Sequence, residues 1–241
     1  MSNQIQITQE DILAYTQFAK YFYSIRDSYP DIKLTAYFDK INGQPIMVMN
    51  KQELGMDKLM LVGKSMTDPQ SLALISELKA MVSNSSGRCF VEHYRTSPTY
   101  QNQGYGSYLM NIVVQACKDN GTHEIYGQID PYDEIQNIPE ELLEKTNYDE
   151  YRAASLYLQQ HYQNRGFQVE TIITEHTNHR TGQISHSKYV KFFEDPQNMT
   201  STKTYVDGLF DFETNNHCIL NYDDLLYAAY ENQTRTNPQE Q

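Results

Sequence analysis

Gln101-Asn102-Gln103-Gly104-Tyr105-Gly106 is the stretch whose residue types and spacing most directly offer chemistry. Two glycines two positions apart let backbone approach a ligand closely and leave N–H groups unobstructed. Behind them the spacing predicts an amphipathic helix, with Tyr105, Tyr108, Leu109, Ile112, Val113 and Ala116 on one face and a left-handed cap at Asn120-Gly121. A helix start adds unpaired amides and a positive dipole end, so the stretch reads either as a plain turn or as a pyrophosphate cradle. No third glycine completes a dinucleotide-binding G-x-G-x-x-G, and no Gly-Lys-Ser/Thr marks a P-loop. Further on comes the run His161-Tyr162-Gln163-Asn164-Arg165-Gly166-Phe167. There Tyr162 stands four residues before Gly166 and by itself reads as a buried helix residue. His176, His179 and His186 gather across a predicted hairpin at spacings that match no familiar metal motif, so no metal is expected.

The elements that position these residues follow from periodicity. Thr8 to Tyr23 reads as a helix capped by Thr8, with Asp11 completing the box and Ile12, Tyr15, Phe18, Ala19 and Phe22 at helical spacing. Lys33 to Ile41 and Pro45 to Asn50 flank Asn42-Gly43, a strong hairpin signal. Lys58 to Val62 is a short strand, and Asp68 to Val82 carries Leu72, Ile75, Leu78 and Met81 at helical spacing. Strands are predicted at Arg88 to Thr96 and Glu124 to Ile129, and a helix from Tyr151 to Arg165. Two β-rich segments follow, Phe167 to Glu175 and Ile184 to Phe193. Beyond Asp195 the pattern weakens to a strand at Tyr205 to Phe212, a short helix from Asn221 to Tyr230 and a disordered tail.

Gln101, Gly104 and Gly106 as Q-x-x-G-x-G, then Tyr162, Gly166 and Phe167 as Y-x-x-x-G-F, arrive in order with strands in the right places. In this the chain resembles the GCN5-related N-acetyltransferases (GNAT), over roughly Arg88 to Phe193. The resemblance implies an α/β fold with a mixed sheet whose central strands splay, with a GNAT domain over 1–195 and a C-terminal extension over 196–241. It implies acetyl-CoA as co-substrate, its pantetheine arm along Tyr94, Arg95 and Thr96. The pyrophosphate would lie on the amides of Asn102 to Ser107 (Asn102, Gln103, Gly104, Tyr105, Gly106, Ser107), beside Gln101. Tyr162 would protonate the departing sulfur. Ser155 stands seven residues before Tyr162, where the family often has an asparagine that bonds the pantetheine arm.

The base stays open. Glu92 and His93 are neighbours on one strand, so only one is expected to face the acceptor. Glu92 is favoured, since members of the family often carry a carboxylate on this strand. Asp130 is the runner-up, and a water chain to solvent would need neither. The implied reaction is acetyl transfer to a primary amine by direct attack in a ternary complex. The alternative is a module of the same shape that binds acyl-CoA, or a partner protein, without turnover. A longer acyl donor is a third option.

Composition narrows the partners. In 241 residues, 31 acids against 19 bases leave a net charge of -12, which disfavours nucleic acid and anionic membrane. Seven of the acids (Asp133, Glu134, Glu140, Glu141, Glu144, Asp149, Glu150) lie within residues 132–150 against Lys145 alone. That stretch either recruits a cationic amine or is a solvated loop. Cys89, Cys117 and Cys218 are odd in number and widely spaced, which suits a reducing cytoplasm. No basic, then apolar, leader opens the chain, and no apolar run is long enough to span a membrane. Residues 196 to 230 are expected to complete the sheet, cover the cleft or form a homodimer contact.

Overall fold

Alternating apolar runs on either side of Asn42-Gly43 form the hairpin that the sequence predicts. In the computed structural model, which describes residues 8–29, 31–53, 55–68, 71–83, 85–131, 133, 138–177 and 180–200, strand β1 (Lys33–Ile41) pairs antiparallel with β2 (Gln44–Glu53). Asn42 and Gly43 have φ of 53° and 78°, the left-handed pair that a two-residue hairpin turn demands. The remaining strands are β3 (Met56–Lys64), β4 (Leu72–Ser83), β5 (Arg88–Thr96), β6 (Glu124–Ile129), β7 (Gln168–Thr177) and β8 (Ile184–Glu194). They form one mixed sheet of order β1-β2-β3-β4-β5-β6-β8-β7. The helices are α1 (Gln9–Ser28), α2 (Tyr105–Asp119), α3 (Glu140–Lys145) and α4 (Glu150–Gln163).

The described residues fall into two compact units. One holds the chain up to Lys79 together with His93–Leu109; the other holds Ala80–Glu92 and the chain from Met110 to Thr200. In the first, Thr8 caps α1 as predicted: its side chain accepts from the Asp11 amide, and the Asp11 carboxylate accepts from the Thr8 amide at 2.8 Å. Tyr15, Phe18, Ala19 and Phe22 are buried against Ala36, Phe38, Met47, Met49 and Val62. Each such Phe, Met or Val side chain contributes roughly 1.5–3 kcal/mol by leaving water. The side chain of Ile12, predicted for the same face, lies outside the described residues.

Residues 72 to 83 correct the sequence reading: the helical spacing of Leu72, Ile75, Leu78 and Met81 belongs to strand β4. The buried positions Ser76, Leu78 and Ala80 alternate as a strand requires. Small or polar residues inside, with Leu74 and Met81 exposed, hid that alternation. In α2 the predicted Tyr105, Tyr108, Leu109 and Val113 are buried, but Ala116 is exposed, and Met110, Val114 and Cys117 are buried as well.

In the second unit, β5 pairs parallel with β6 only from Arg88↔Glu124 to Val91↔Gly127, although β5 runs on to Thr96. Gly127 has no room for a side chain, because the Phe192 ring and the Val91 carbonyl occupy the place of a Cβ. The acidic insertion holds an unpredicted short helix, α3, followed by a turn in which Asn147 and Tyr148 have φ of 55° and 61°. The expected strand at Tyr205 to Phe212, the helix from Asn221, Cys218, the tail and His179 lie outside the described residues, as do the side chains of His176 and His186. Among the described residues no helix is long and apolar enough to cross a membrane, and no group of three or more His, Cys, Asp or Glu could hold a metal ion.

Candidate active site

The turn before α2 is held by its own unit on several sides. Pro98–Tyr100 makes a single 3-10 turn, and the Tyr100 hydroxyl takes the Met66 amide at 3.0 Å while donating to the Lys64 carbonyl. Gln101 donates to the Thr96 carbonyl at 3.3 Å, and Gln103 to the Thr99 carbonyl at 3.2 Å. From the hairpin turn, Asn42 donates its side-chain N–H to the Gln103 carbonyl at 3.1 Å. One turn into α2, the Tyr108 hydroxyl donates to the buried Asp39 carboxylate. Burial pushes Asp39 above its usual range, opposed by that hydroxyl and by the Lys40 amide. Tyr105 packs edge-on against Tyr100 at 6.0 Å.

What this scaffold presents is main chain. Asn102 and Gly104 have φ of 60° and 87°, so the backbone turns through left-handed conformations just before the helix. Among the described residues, no acceptor takes the amide N–H groups of Asn102, Gln103, Gly104, Tyr105, Gly106 or Ser107. Six consecutive donors at a helix start are what a pyrophosphate requires, and they need no basic side chain. Gly106 is where the strand comes close. A Cβ there would stand 2.6 Å from the Tyr94 hydroxyl and 2.7 Å from the Thr96 Oγ1. Thr96 in turn bonds Ser76, whose hydroxyl donates to the Arg95 carbonyl at 2.9 Å. The structure thus gathers Tyr94, Thr96, Gln101 and Gly106 as the sequence predicts, with Arg95 exposed beside them.

Tyr162 and Ser155 belong to the other unit. Both lie on α4, two turns apart. The Tyr162 ring, only 2% exposed, stacks on Phe192 at 3.9 Å and meets Phe167 edge-on, so it is a member of the aromatic core. Its neighbour His161 is pushed down to about 4 by burial and then by the Arg165 guanidinium, which keeps that imidazole neutral at pH 7. The Ser155 hydroxyl donates to the Tyr151 carbonyl of its own helix at 2.9 Å. Glu92 is exposed on β5, and Asp130 is half-buried just after β6.

Two groups went unseen in the sequence. Asn42 was legible as a turn residue, but nothing local to it signals the contact with Gln103. On β3, β4 and β5, Lys58, Glu77 and His93 join in one polar chain: Lys58 Nζ lies 2.7 Å from one Glu77 oxygen, and the His93 Nε2 lies 2.9 Å from the other.

A family model covers the segment that holds the turn before α2. Residues 62–139 match the family model described as "Acetyltransferase (GNAT) family". No curated protein matches the chain. Among solved structures, the IAA acetyltransferase from Bacillus cereus ATCC 14579 is similar at 12% identity, over 58% of this chain and 78% of that one, with a TM-score of 0.36. Nourseothricin acetyltransferase is similar at 11% identity, over 68% and 84%, with a TM-score of 0.38. The spermidine N-acetyltransferase from Vibrio cholerae, in complex with CoA and spermine, is similar at 10% identity over 60% and 68%, with a TM-score of 0.36. The matched segment takes in β4, β5, the six free amides, α2 and β6, and stops short of Tyr162. That segment, residues 62–139, matches the GNAT acetyltransferase family.

Proposed function

We propose that this acetyltransferase moves the acetyl group of acetyl-CoA to a primary amine of a cationic molecule: a polyamine, an aminoglycoside-like compound or a lysine-rich peptide. The observation that carries the donor is the run of six unaccepted amides from Asn102 to Ser107, a fit for pyrophosphate in a chain of net charge -12. The pantetheine arm would run back from there along β5, whose pairing with β6 ends at Val91. For the acceptor, Glu140, Glu141, Glu144, Asp149 and Glu150 all keep their side chains exposed, which supports recruitment of a cation.

In this reading the amine attacks the thioester carbonyl directly, and the Tyr162 hydroxyl gives its proton to the departing thiolate. Purified protein assayed for thiol release with acetyl-CoA and an amine panel tests the transfer. Tyr162→Phe keeps the stacked ring and removes only the hydroxyl. It should lower kcat by about a hundredfold with little change in the KM for acetyl-CoA. Equal turnover in both would remove Tyr162 as the acid. Stabilisation by acetyl-CoA with turnover of no amine would overturn the acceptor class.

A further inference from the structure

The amide cradle before α2 is a loop, and a loop can present either edge of a peptide plane. A trans peptide holds its C=O and N–H on opposite sides, so whatever fixes the carbonyl of one residue aims the amide of the next. From Gly104 onwards the helix supplies that fix: the Gly104 carbonyl accepts from the Tyr108 amide at 2.9 Å. The peptide that joins Gln103 to Gly104 lies one step outside it. Gly104 has φ of 87°, close to the value at the third position of a type II turn, and glycine also tolerates the opposite sign that a flipped peptide would give it. Local sequence therefore leaves two orientations open to the Gly104 N–H.

The choice between them is made from the hairpin, 61 residues away in the chain. Asn42, in the tight turn between β1 and β2, donates its side-chain N–H to the Gln103 carbonyl at 3.1 Å. With φ of 53°, and Gly43 following at 78°, Asn42 is placed by the turn itself, and the register behind it runs unbroken from Lys33↔Gln52 to Ile41↔Gln44. Three residues earlier on β1, one oxygen of the buried Asp39 carboxylate accepts from the Tyr108 hydroxyl. The other accepts from the Lys40 amide at 2.7 Å, so the carboxylate is fixed at both oxygens. Asn42 and Asp39 thus grip Gln103 and Tyr108, on either side of the helix start. All four residues belong to the first unit.

We propose that Asn42 is a positioning residue for the pyrophosphate of the donor: by holding the Gln103 carbonyl it turns the Gly104 N–H toward the anion, while Asp39 fixes the helix turn behind. This rests on the acetyl-CoA reading above and deepens it, since a row of amides does not by itself say what selects their orientation. Asn42 acts through the main chain and adds no charge. In a chain of net charge -12, aligned peptide dipoles can hold an anion where basic side chains are scarce. Without Asn42 the loop would spend part of its time with the Gln103 carbonyl turned toward the phosphates. Binding would then have to select the competent orientation first, which weakens the apparent affinity by the fraction of loop that is misoriented.

Full-length wild type and Asn42→Gly, titrated calorimetrically with CoA and with pantetheine, supply the test. Pantetheine keeps the thiol and the arm but has no pyrophosphate. Glycine keeps the left-handed φ of the turn and removes the side-chain donor. The CoA Kd should rise about fivefold, as the loss of one exposed hydrogen bond predicts, and the pantetheine Kd by less than about twofold. Asn42→Asp keeps the shape but sets an acceptor against the Gln103 carbonyl, so its CoA Kd should rise at least as far. An unchanged CoA Kd in Asn42→Gly overturns the assignment. Equal losses for CoA and pantetheine overturn it as well, because the hairpin would then merely stabilise the fold. A wild type that binds no CoA is a different failure, since it removes the donor reading on which the assignment rests.

Discussion

Gly106 concentrates the demands of the site in one missing methyl group. With the Tyr94 hydroxyl 2.6 Å and the Thr96 Oγ1 2.7 Å from where a Cβ would stand, Gly106→Ala must push β5 or the first turn of α2 aside. Acetyl-CoA affinity should fall by about tenfold or more in calorimetry, because donors displaced by as little as 1 Å lose their geometry. An unchanged Kd would mean that the turn yields without moving its amides. The glycine itself was legible from its spacing to Gly104 and Gln101, and Tyr162 from its spacing to Gly166. Their surroundings were not. That Tyr162 stacks on Phe192, or that Asn42 holds the Gln103 carbonyl, depends on contacts between residues far apart in sequence, which no local pattern records.

Among the elements, α1 shows how a cap becomes a tertiary anchor. Asp11 closes the capping box and also binds Lys40 on β1 at 2.6 Å. Burial would raise its pKa, but Lys40 and the Thr8 donors prevail and hold it below its usual 3.8. A carboxyl whose folded pKa lies below its unfolded one contributes stability that is present above the unfolded value and lost as pH falls through the folded value. Unfolding free energy from urea titration should therefore drop below about pH 4, and Asp11→Asn should flatten that drop while lowering stability at pH 7. An identical acid slope in the variant would assign the loss to other carboxyls, Glu77 first among them. Elements bounded by strong punctuation were readable: Thr8, Asn42-Gly43 and Asn120-Gly121 each marked an end correctly. β4 was not, because its buried positions include Ser76 and Ala80 while Leu74 and Met81 are exposed, which blurs the pattern that defines an amphipathic strand.

On the scale of the whole molecule, charge is distributed rather than neutralised. The insertion at 132–150 carries seven acids of the 31, and those described on α3 and after it are exposed. Replacing Glu140, Glu141 and Glu144 together by glutamine should raise the KM of a cationic amine several-fold, by roughly 2–10, while leaving the acetyl-CoA KM unchanged, and added salt should shrink the difference. An amine KM indifferent to both would reduce the insertion to a solubilising loop. Composition made the acidity plain but could not say that part of it forms a helix, because Glu140 to Lys145 is too short to show a period.

A donor site of the proposed kind, written in main chain, would have a consequence for how it tolerates change. Alanine at Gln103 or Ser107 keeps every N–H in place, so truncating those side chains passes over the loop as if it were inert. Proline is the informative replacement, since it deletes the donor itself. The same property would free those two positions to drift among relatives while Gly106 stays fixed, so that resemblance between members of such a lineage would survive in its glycines long after its side chains had been exchanged.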